Sequence, residues 1–256
     1  MSTRIMVAPN GARLKKKDHP GVPVTVAETV KCAVDCFNAG AHALHAHVRD
    51  AEEKHVLDAG LYKELMAELK IAAPDLDVQI TTEAVGIYSA LDQRQLVKDV
   101  APSYISVAMK EQAIAEDQDA AQAFYHWLQA EKIRVQHILY SAEELQQFLA
   151  YLDEGVIPSD DIETLFVMGR YSAGQKSDPS DLDPFLAGIP SGMDLNWSIC
   201  AFGDKETDCL LYAAQKGGGI RIGFENNRTN KDLSVAKENA ERVTEIKSLL
   251  AHNGLD

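Results

Sequence analysis

The feature that most constrains the fold is an eightfold alternation of short apolar runs with longer amphipathic runs. Val, Ile and Leu dominate the short runs, as in buried parallel strands, and the longer runs have helical periodicity. The predicted strands are Arg4–Ala8, Ala43–Val48, Asp77–Thr82, Ser103–Ala108, Arg134–Leu139, Thr164–Met168, Asp194–Ile199 and Gly219–Phe224. The predicted helices are Val26–Ala39, Ala59–Ala72, Ala90–Val100, Gln118–Ala130, Ala142–Glu154, Asp181–Ala187, Lys205–Lys216 and Leu233–Ala251. Eight such pairs in 256 residues predict an α/β fold, a single-domain (β/α)8 TIM-type barrel over residues 1–256.

Local signals support these helix boundaries. Thr25 and Ser141 each stand three residues before a glutamate, in the form of a capping box. Gly40 and Gly155 follow helices, as C-terminal stop signals do. The alternative architecture is a doubly wound open sheet. The absence of a Gly-x-Gly-x-x-Gly turn after the first strand disfavours it.

Charge and cysteine content limit the partners and the compartment. A net charge of −14 argues against binding to a nucleic-acid backbone. No apolar run is long enough to span a bilayer, and the N-terminus lacks the apolar core of a signal peptide. The four cysteines form no Cys-x-x-Cys pair and suggest no disulfide framework. We therefore expect a cytoplasmic protein with neither a nucleic-acid nor a membrane partner.

Two histidines interrupt the second apolar run, at positions 45 and 47. Alternate residues of a strand share a face, so His45 and His47 are expected to point the same way, with Arg49 continuing that face. In the last run, Arg221 and Glu225 are predicted to face inward by the same alternation. The second and eighth strands of a closed barrel both neighbour the first. Two imidazoles and a carboxylate would therefore meet and form a site for zinc or another divalent ion.

Other polar side chains are predicted at the same end of the barrel, where active sites of this fold form. On the third strand, Gln79, Thr81 and Glu83 face inward by alternation, and on the fourth strand Ser106 does so. The turn after the first strand carries Asn10, whose side chain could reach the mouth.

Structural interpretations stand beside these functional ones. The His-x-His pair could be two hydrogen-bonded core histidines, and Glu83 could be an exposed strand end. Against the first alternative, burying both imidazoles together with Arg221 and Glu225 without a function would be costly. A structural role is predicted for His137. The remaining histidines are predicted in loops or on helix surfaces, namely His19, His55, His126 and His252.

Several motifs resemble those of the β-keto acid cleavage enzyme family. The resemblance runs nearly end to end. It is carried by Ala-Pro-Asn-Gly-Ala at 8–12, His-Pro at 19–20 with Pro-Val-Thr at 23–25, His-Ala-His-Val-Arg-Asp at 45–50, Leu-Asp at 57–58, Gln-Ile-Thr-Thr at 79–82 and Arg-Ile-Gly-Phe-Glu-Asn-Asn at 221–227.

The resemblance implies a zinc-dependent (β/α)8 barrel in which a β-keto acid and acetyl-CoA give a new acyl-CoA and acetoacetate. It implies that His45, His47 and Glu225 hold the zinc, which polarises the ketone of the β-keto acid. By the same resemblance, Thr81 and Ser106 hold the substrate carboxylate. Arg221 matches the arginine that steadies developing negative charge.

Three positions depart from the family pattern. Asn226 replaces an aspartate that works with the arginine in proton transfer, and an amide cannot act as a general base at neutral pH. Glu83 is our first candidate for that task. Arg13 stands where members that act on an amino-bearing substrate have an acid, so we expect a substrate without the amino group, neutral or anionic. Lys110 lies near where a small Gly-Ser pair is more common, so the pocket shape should differ.

Two alternative functions remain open at this stage. One is a metal-dependent aldolase or hydrolase on a similar barrel. The other is a protein that binds a keto acid or CoA ester without turning it over, since Asn226 replaces the aspartate. Barrels of this kind usually associate, so a homo-oligomer, either a dimer or a tetramer, is expected.

Overall fold

The protein is described by a computed structural model that covers residues 2–255. Eight parallel strands form a closed barrel in chain order, as the alternation predicts. These strands are β1 (Ile5–Val7), β2 (Ala43–Ala46), β3 (Asp77–Thr81), β4 (Tyr104–Ala108), β5 (Arg134–Leu139), β6 (Glu163–Met168), β7 (Asn196–Ala201) and β8 (Gly219–Ile222).

Helices follow the strands around the outside of the barrel. They are α1 (Val26–Asn38), α2 (Ala59–Ala72), α3 (Ala90–Val100), α4 (Gln118–Ala130), α5 (Ala142–Asp153), α6 (Asp183–Gly188), α7 (Glu206–Gln215) and α8 (Asn239–His252). The capping box predicted at Thr25 is present at the start of α1. At α5, Ser141 caps the helix, but Glu144 accepts a hydrogen bond from the Tyr140 amide instead of closing the box. Between residues 2 and 255, no helix is both long and apolar enough to cross a membrane.

The first strand closes the barrel by pairing on both edges. Met6 pairs with Arg221 of β8 on one side and with Ala43 of β2 on the other. This register brings the ends of β2 and β8 to neighbouring positions at the mouth, which confirms the expected closure. Apolar side chains between strands and helices form the main core, including Leu44 and Ile222, which are fully buried.

Several element boundaries differ from the prediction. The second strand ends at Ala46, and Val48–Arg49 instead pairs antiparallel with His55–Val56 in a short hairpin. The eighth strand ends at Ile222, because Gly223 takes a φ of +139°, outside the strand region. Helix α8 begins at Asn239 and not at Leu233. Helix α6 begins at Asp183 after a 3₁₀ turn over Pro179–Leu182.

Candidate functional site

Three potential metal ligands meet at the mouth of the barrel, as the sequence predicts. The ligand atoms of His45, His47 and Glu225 all lie within 4.8 Å of one another, and both imidazoles are buried. Oε2 of Glu225 lies 3.8 Å from Nε2 of His45 and 3.8 Å from Nδ1 of His47. Among the buried polar atoms of residues 2–255, His47 Nδ1 and Glu225 Oε2 lack a hydrogen-bond partner. Buried polar atoms without partners are rare, so this cluster fits a cation that the three residues would bind.

Hydrogen bonds on the far side of each imidazole set its tautomer. His45 donates from Nδ1 to Gln79 Oε1 at 2.6 Å, which leaves Nε2 with its lone pair toward Glu225. Gln79 is itself oriented, because its amide nitrogen donates to Gln136 Oε1, and Gln136 donates onward to Ser198. Such outer partners fix the orientation of metal-binding histidines.

Glu83 accepts a hydrogen bond from His47 and fixes its tautomer, as Gln79 does for His45. His47 donates from Nε2 to Glu83 Oε2 at 3.1 Å, so its free Nδ1 faces the other two ligand atoms. Glu83 is half-buried and lines a cavity at the mouth of the barrel, which His45 and Glu225 also line. The alternative that it is merely an exposed strand end is therefore wrong.

The ionisation states of the three groups suit a metal ion. Burial, helped by the Arg221 charge, lowers the pKa of His45 to about 4. Burial also holds the pKa of His47 well below its usual value. For Glu225, burial alone would raise the pKa, but Arg221 and the two imidazoles reverse this and lower it. Neutral imidazoles and an ionised carboxylate are the forms that bind a divalent ion.

The turn after β1 approaches this cluster closely. A Cβ at Gly11 would lie 2.5 Å from Cγ of Glu225, so only glycine fits there. Asn10 is buried, and its amide nitrogen donates to the carbonyls of Pro23 and His47, while its Oδ1 has no hydrogen-bond partner in the described part of the chain. The Arg49 guanidinium donates to the carbonyls of Asn10, Gly11 and Ala12. Arg49 thus fastens the turn and does not extend the histidine face of β2.

Most of the predicted site residues line one cavity. Arg221 lies on its floor, donating to Glu225 Oε1 at 3.0 Å and approaching Cys200 Sγ at 3.2 Å. The other predicted residues on its wall are Asn10, Arg13, His45, Thr81, Glu83, Ser106 and Glu225. Ser106 Oγ is buried and has no hydrogen-bond partner among residues 2–255. The hydroxyl of Thr81 accepts the Glu83 amide, which leaves its hydrogen free.

Asn226 lies apart from that cavity. It is buried and does not line the wall, and within residues 2–255 its side-chain amide makes no hydrogen bond of normal geometry. Lys110 is also absent from the wall, although Ala108 of the same segment lines it.

Sequence reasoning missed other members of the wall. Tyr140, Arg170 and Phe202 line the cavity from the ends of β5, β6 and β7. They follow the ends of the predicted strands by one to three residues, and this position was a signal that could have identified them.

Two histidines predicted in loops or on surfaces are in fact buried. His55 donates from Nε2 to the Glu83 carbonyl at 3.0 Å, and its ring lies 5.2 Å from that of His47. His19 packs its ring edge against Phe224. His137, predicted to be structural, is buried between the rings of Tyr125 and Phe148.

Comparison with known proteins decides the family. Residues 3–256 match the model of the beta-keto acid cleavage enzyme family. The chain belongs to the β-keto acid cleavage enzyme family. The resemblance seen in the sequence motifs is thereby confirmed.

Curated relatives support the family assignment along nearly the whole chain. A 3-keto-5-aminohexanoate cleavage enzyme of Acetoanaerobium sticklandii is 24% identical over 255 residues, covering 95% of this chain and 90% of the relative. A 3-oxoadipate:acetyl-CoA acetyltransferase of Cupriavidus necator is 25% identical over 259 residues, covering 98% of this chain and 89% of the relative. This family member therefore has relatives named for two different β-keto acids.

Solved structures confirm the barrel. The apo structure of ObcA superposes with a TM-score of 0.70 at 14% identity, covering 92% of this chain and 63% of that chain. The chain thus spans less than two thirds of the ObcA chain. A type I 3-dehydroquinate dehydratase from Clostridium difficile gives a TM-score of 0.65 at 12% identity, covering 98% of this chain and 94% of that chain. At these identities the likeness concerns the fold alone.

Proposed function

We propose that this protein is a zinc-dependent acyltransferase that converts a β-keto acid and acetyl-CoA into a new acyl-CoA and acetoacetate. The observation that carries the proposal is the convergence of His45, His47 and Glu225 at the mouth of a β-keto acid cleavage enzyme fold, where His45 and Glu225 line one cavity together with Arg221. Both relatives named above support it, since the name of one includes acetyl-CoA and the other is called a cleavage enzyme. When bound by the three ligands, zinc would supply a Lewis acid that polarises the keto oxygen.

Two hydroxyls are suited to hold the carboxylate of the β-keto acid. Thr81 and Ser106 are paired across β3 and β4, so their side chains are neighbours on the inner wall. Each has a hydroxyl hydrogen that no protein atom in the described chain accepts. Two O–H donors directed at one carboxylate would fix the reacting end of the substrate against the metal site.

The overall reaction needs one proton to leave and return at C2 of the β-keto acid. Glu83 would take the C2 proton, C2 would then bond to the acetyl carbon, and CoA would leave as thiolate. The thiolate would attack C3, the C2–C3 bond would break, and the proton would return to C2 of acetoacetate. Arg221, fixed by Glu225 at 3.0 Å, would stabilise the negative charge that develops on oxygen in these steps.

The charges around the cavity favour an anionic substrate. Three arginines line it, namely Arg13, Arg170 and Arg221, against the two carboxylates Glu83 and Glu225. A divalent cation would increase this positive excess. In the described chain, Arg13 has no carboxylate within salt-bridge distance, so its charge is available to a ligand. An ammonium group on the substrate would be repelled there, whereas a neutral or anionic tail would be accepted.

A turnover panel tests the proposal. Zinc-loaded protein is mixed with acetyl-CoA and three six-carbon β-keto acids that have a neutral, an amino-bearing or a carboxylate tail. We expect acetoacetate and a new CoA ester from the neutral or carboxylate substrate and little from the amino-bearing one. Best turnover of the amino-bearing acid would contradict the role of Arg13. Products without transfer to CoA would indicate an aldolase or a hydrolase, and binding without products would indicate a non-catalytic role.

A second prediction concerns Asn226. Because Asn226 does not line the cavity, a carboxylate at this position would not reach the substrate, and Asn226→Asp is expected to change kcat/KM by less than about tenfold. Steady-state kinetics with the preferred substrate measure the effect, with Asn226→Ala as the matched variant that adds no base. A loss of more than about tenfold in Asn226→Asp alone would show that the amide has a role of its own.

A further inference from the structure

We propose that Arg170 binds the second carboxylate of the substrate, which makes this enzyme selective for a β-keto dicarboxylic acid. This inference rests on the proposed function and names its substrate class. It assigns a role to a residue that the sequence patterns did not single out.

Arg170 reaches the cavity from the loop after β6. Its guanidinium lies over the ring of Phe202, 5.1 Å from the centroid, and the side chain is 15% exposed. Nη2 lies 3.8 Å from Glu83 Oε1, beyond hydrogen-bond distance. The guanidinium is therefore attracted to Glu83 but keeps its donors for another anion. A guanidinium presents donors in a fork that matches a carboxylate.

Glu83 does not depend on Arg170 for its position. Its other oxygen accepts the His47 N–H at 3.1 Å, and its backbone carbonyl accepts the His55 N–H at 3.0 Å. Glu83 would thus stay in place when Arg170 turns to a ligand. A ligand carboxylate that replaces this long contact gains charge-assisted hydrogen bonds at little cost to the site.

Side-chain contacts at the mouth of the barrel hold the loop that carries Arg170 in place. The ammonium group of Lys110 lies 3.7 Å from the ring centroid of Tyr140 and 4.0 Å from that of Tyr171, so it bridges the ends of β4, β5 and β6. Ser172 also bonds the carbonyls of Gly169 and Lys176 within the loop. Since Tyr171 is the next residue, these contacts restrain Arg170 before a ligand arrives, which lowers the entropic cost of binding.

The ligand that suits this arrangement carries a negative charge at both ends. One carboxylate would lie near Ser106 and Thr81, beside the metal ligands. The other would lie at Arg170, which lines the same cavity from the loop after β6, two strands beyond the β4 strand of Ser106. Phe202, under the guanidinium, offers an apolar surface for the methylenes between them. A β-keto dicarboxylic acid has this chemistry.

The test compares Arg170→Gln with Lys176→Gln. Lys176 lies on the same loop, is exposed and does not line the cavity, so its variant removes the same charge elsewhere. For each protein, kcat and KM are measured with a six-carbon β-keto dicarboxylate and with the six-carbon β-keto acid whose tail is uncharged. Arg170→Gln should lower kcat/KM for the dicarboxylate by roughly 30- to 100-fold and change the other substrate by less than about threefold.

Each outcome of this test is decisive. Lys176→Gln should behave like the native protein, and Arg170→Lys should restore part of the preference. An equal loss with both keto acids would overturn the proposal, because Arg170 would then act on something that both reactions share. If Arg170→Gln raised only the KM for acetyl-CoA, the proposal would also be overturned, because Arg170 would then bind a CoA phosphate. No transfer by the native protein with any keto acid would instead reject the proposed function.

Discussion

His45→Ala is expected to lose bound zinc and to lower turnover by at least about a thousandfold. The substitution removes the Nε2 atom that lies 3.8 Å from Glu225 Oε2, so only two protein ligands remain. It also leaves Gln79 Oε1 without its 2.6 Å partner inside the barrel. The measurement is zinc content by elemental mass spectrometry, together with turnover of the preferred β-keto acid.

Two further variants separate loss of the metal from loss of the fold. His126→Ala removes an exposed imidazole that bonds only the Gly155 carbonyl in the described chain, and it should keep both zinc and activity. His45→Gln keeps a polar side chain at the barrel mouth and should remain folded by circular dichroism while still binding zinc weakly. Full zinc occupancy in His45→Ala would show that His45 is not a ligand.

Arg221→Met is expected to retain zinc but to lower kcat by roughly 100- to 1000-fold. Methionine keeps the apolar stem of the side chain and removes the guanidinium that lies 3.0 Å from Glu225 Oε1. Losing a positive charge beside the metal ligands should not weaken cation binding. The negative charge that develops on the substrate in the transition state would no longer be stabilised by the Arg221 guanidinium. The substitution should therefore lower kcat more than it raises KM.

Arg221→Lys is the matched control for this prediction. A lysine keeps the charge but not the planar guanidinium, whose Nη2 contacts both Glu225 and Cys200, so it should recover only part of the rate. Zinc content and kcat are measured on both variants. Loss of zinc from Arg221→Met in step with activity would contradict a role in charge stabilisation and would show that Arg221 supports the metal site instead.

The sequence predicted the barrel and the clustering of His45, His47 and Glu225 because both depend on strong local patterns. Alternation of apolar strands with amphipathic helices is repeated eight times, and errors of a few residues at element ends do not alter it. His45 lies in β2 and His47 lies one residue beyond its end at Ala46, and the register of β1 with both neighbouring strands brings Glu225 to the same place. These inferences needed only the periodicity of strands and the closure of the barrel.

The features that the sequence did not predict depend on where side chains from different loops meet. Arg170 and Glu83 are 87 positions apart, and only the closed barrel brings their side chains within 3.8 Å. His55 was predicted in a loop or on a helix surface. The hairpin after β2 instead places His55 against the loop of Glu83, where its Nε2 donates to the Glu83 carbonyl. The φ of Gly223, which ends β8 early, is likewise set by tertiary contacts, since a Cβ there would lie 2.4 Å from the Ala8 carbonyl oxygen.

The most direct test of the central claim follows carbon atoms through the reaction. Zinc-loaded protein is given a β-keto acid with acetyl-CoA labelled with carbon-13 in its acetyl group, and both products are measured by mass spectrometry. The account predicts acetoacetate that carries the label and an equal amount of a new, unlabelled acyl-CoA. Unlabelled acetoacetate, or free acids formed without a new CoA ester, would contradict it.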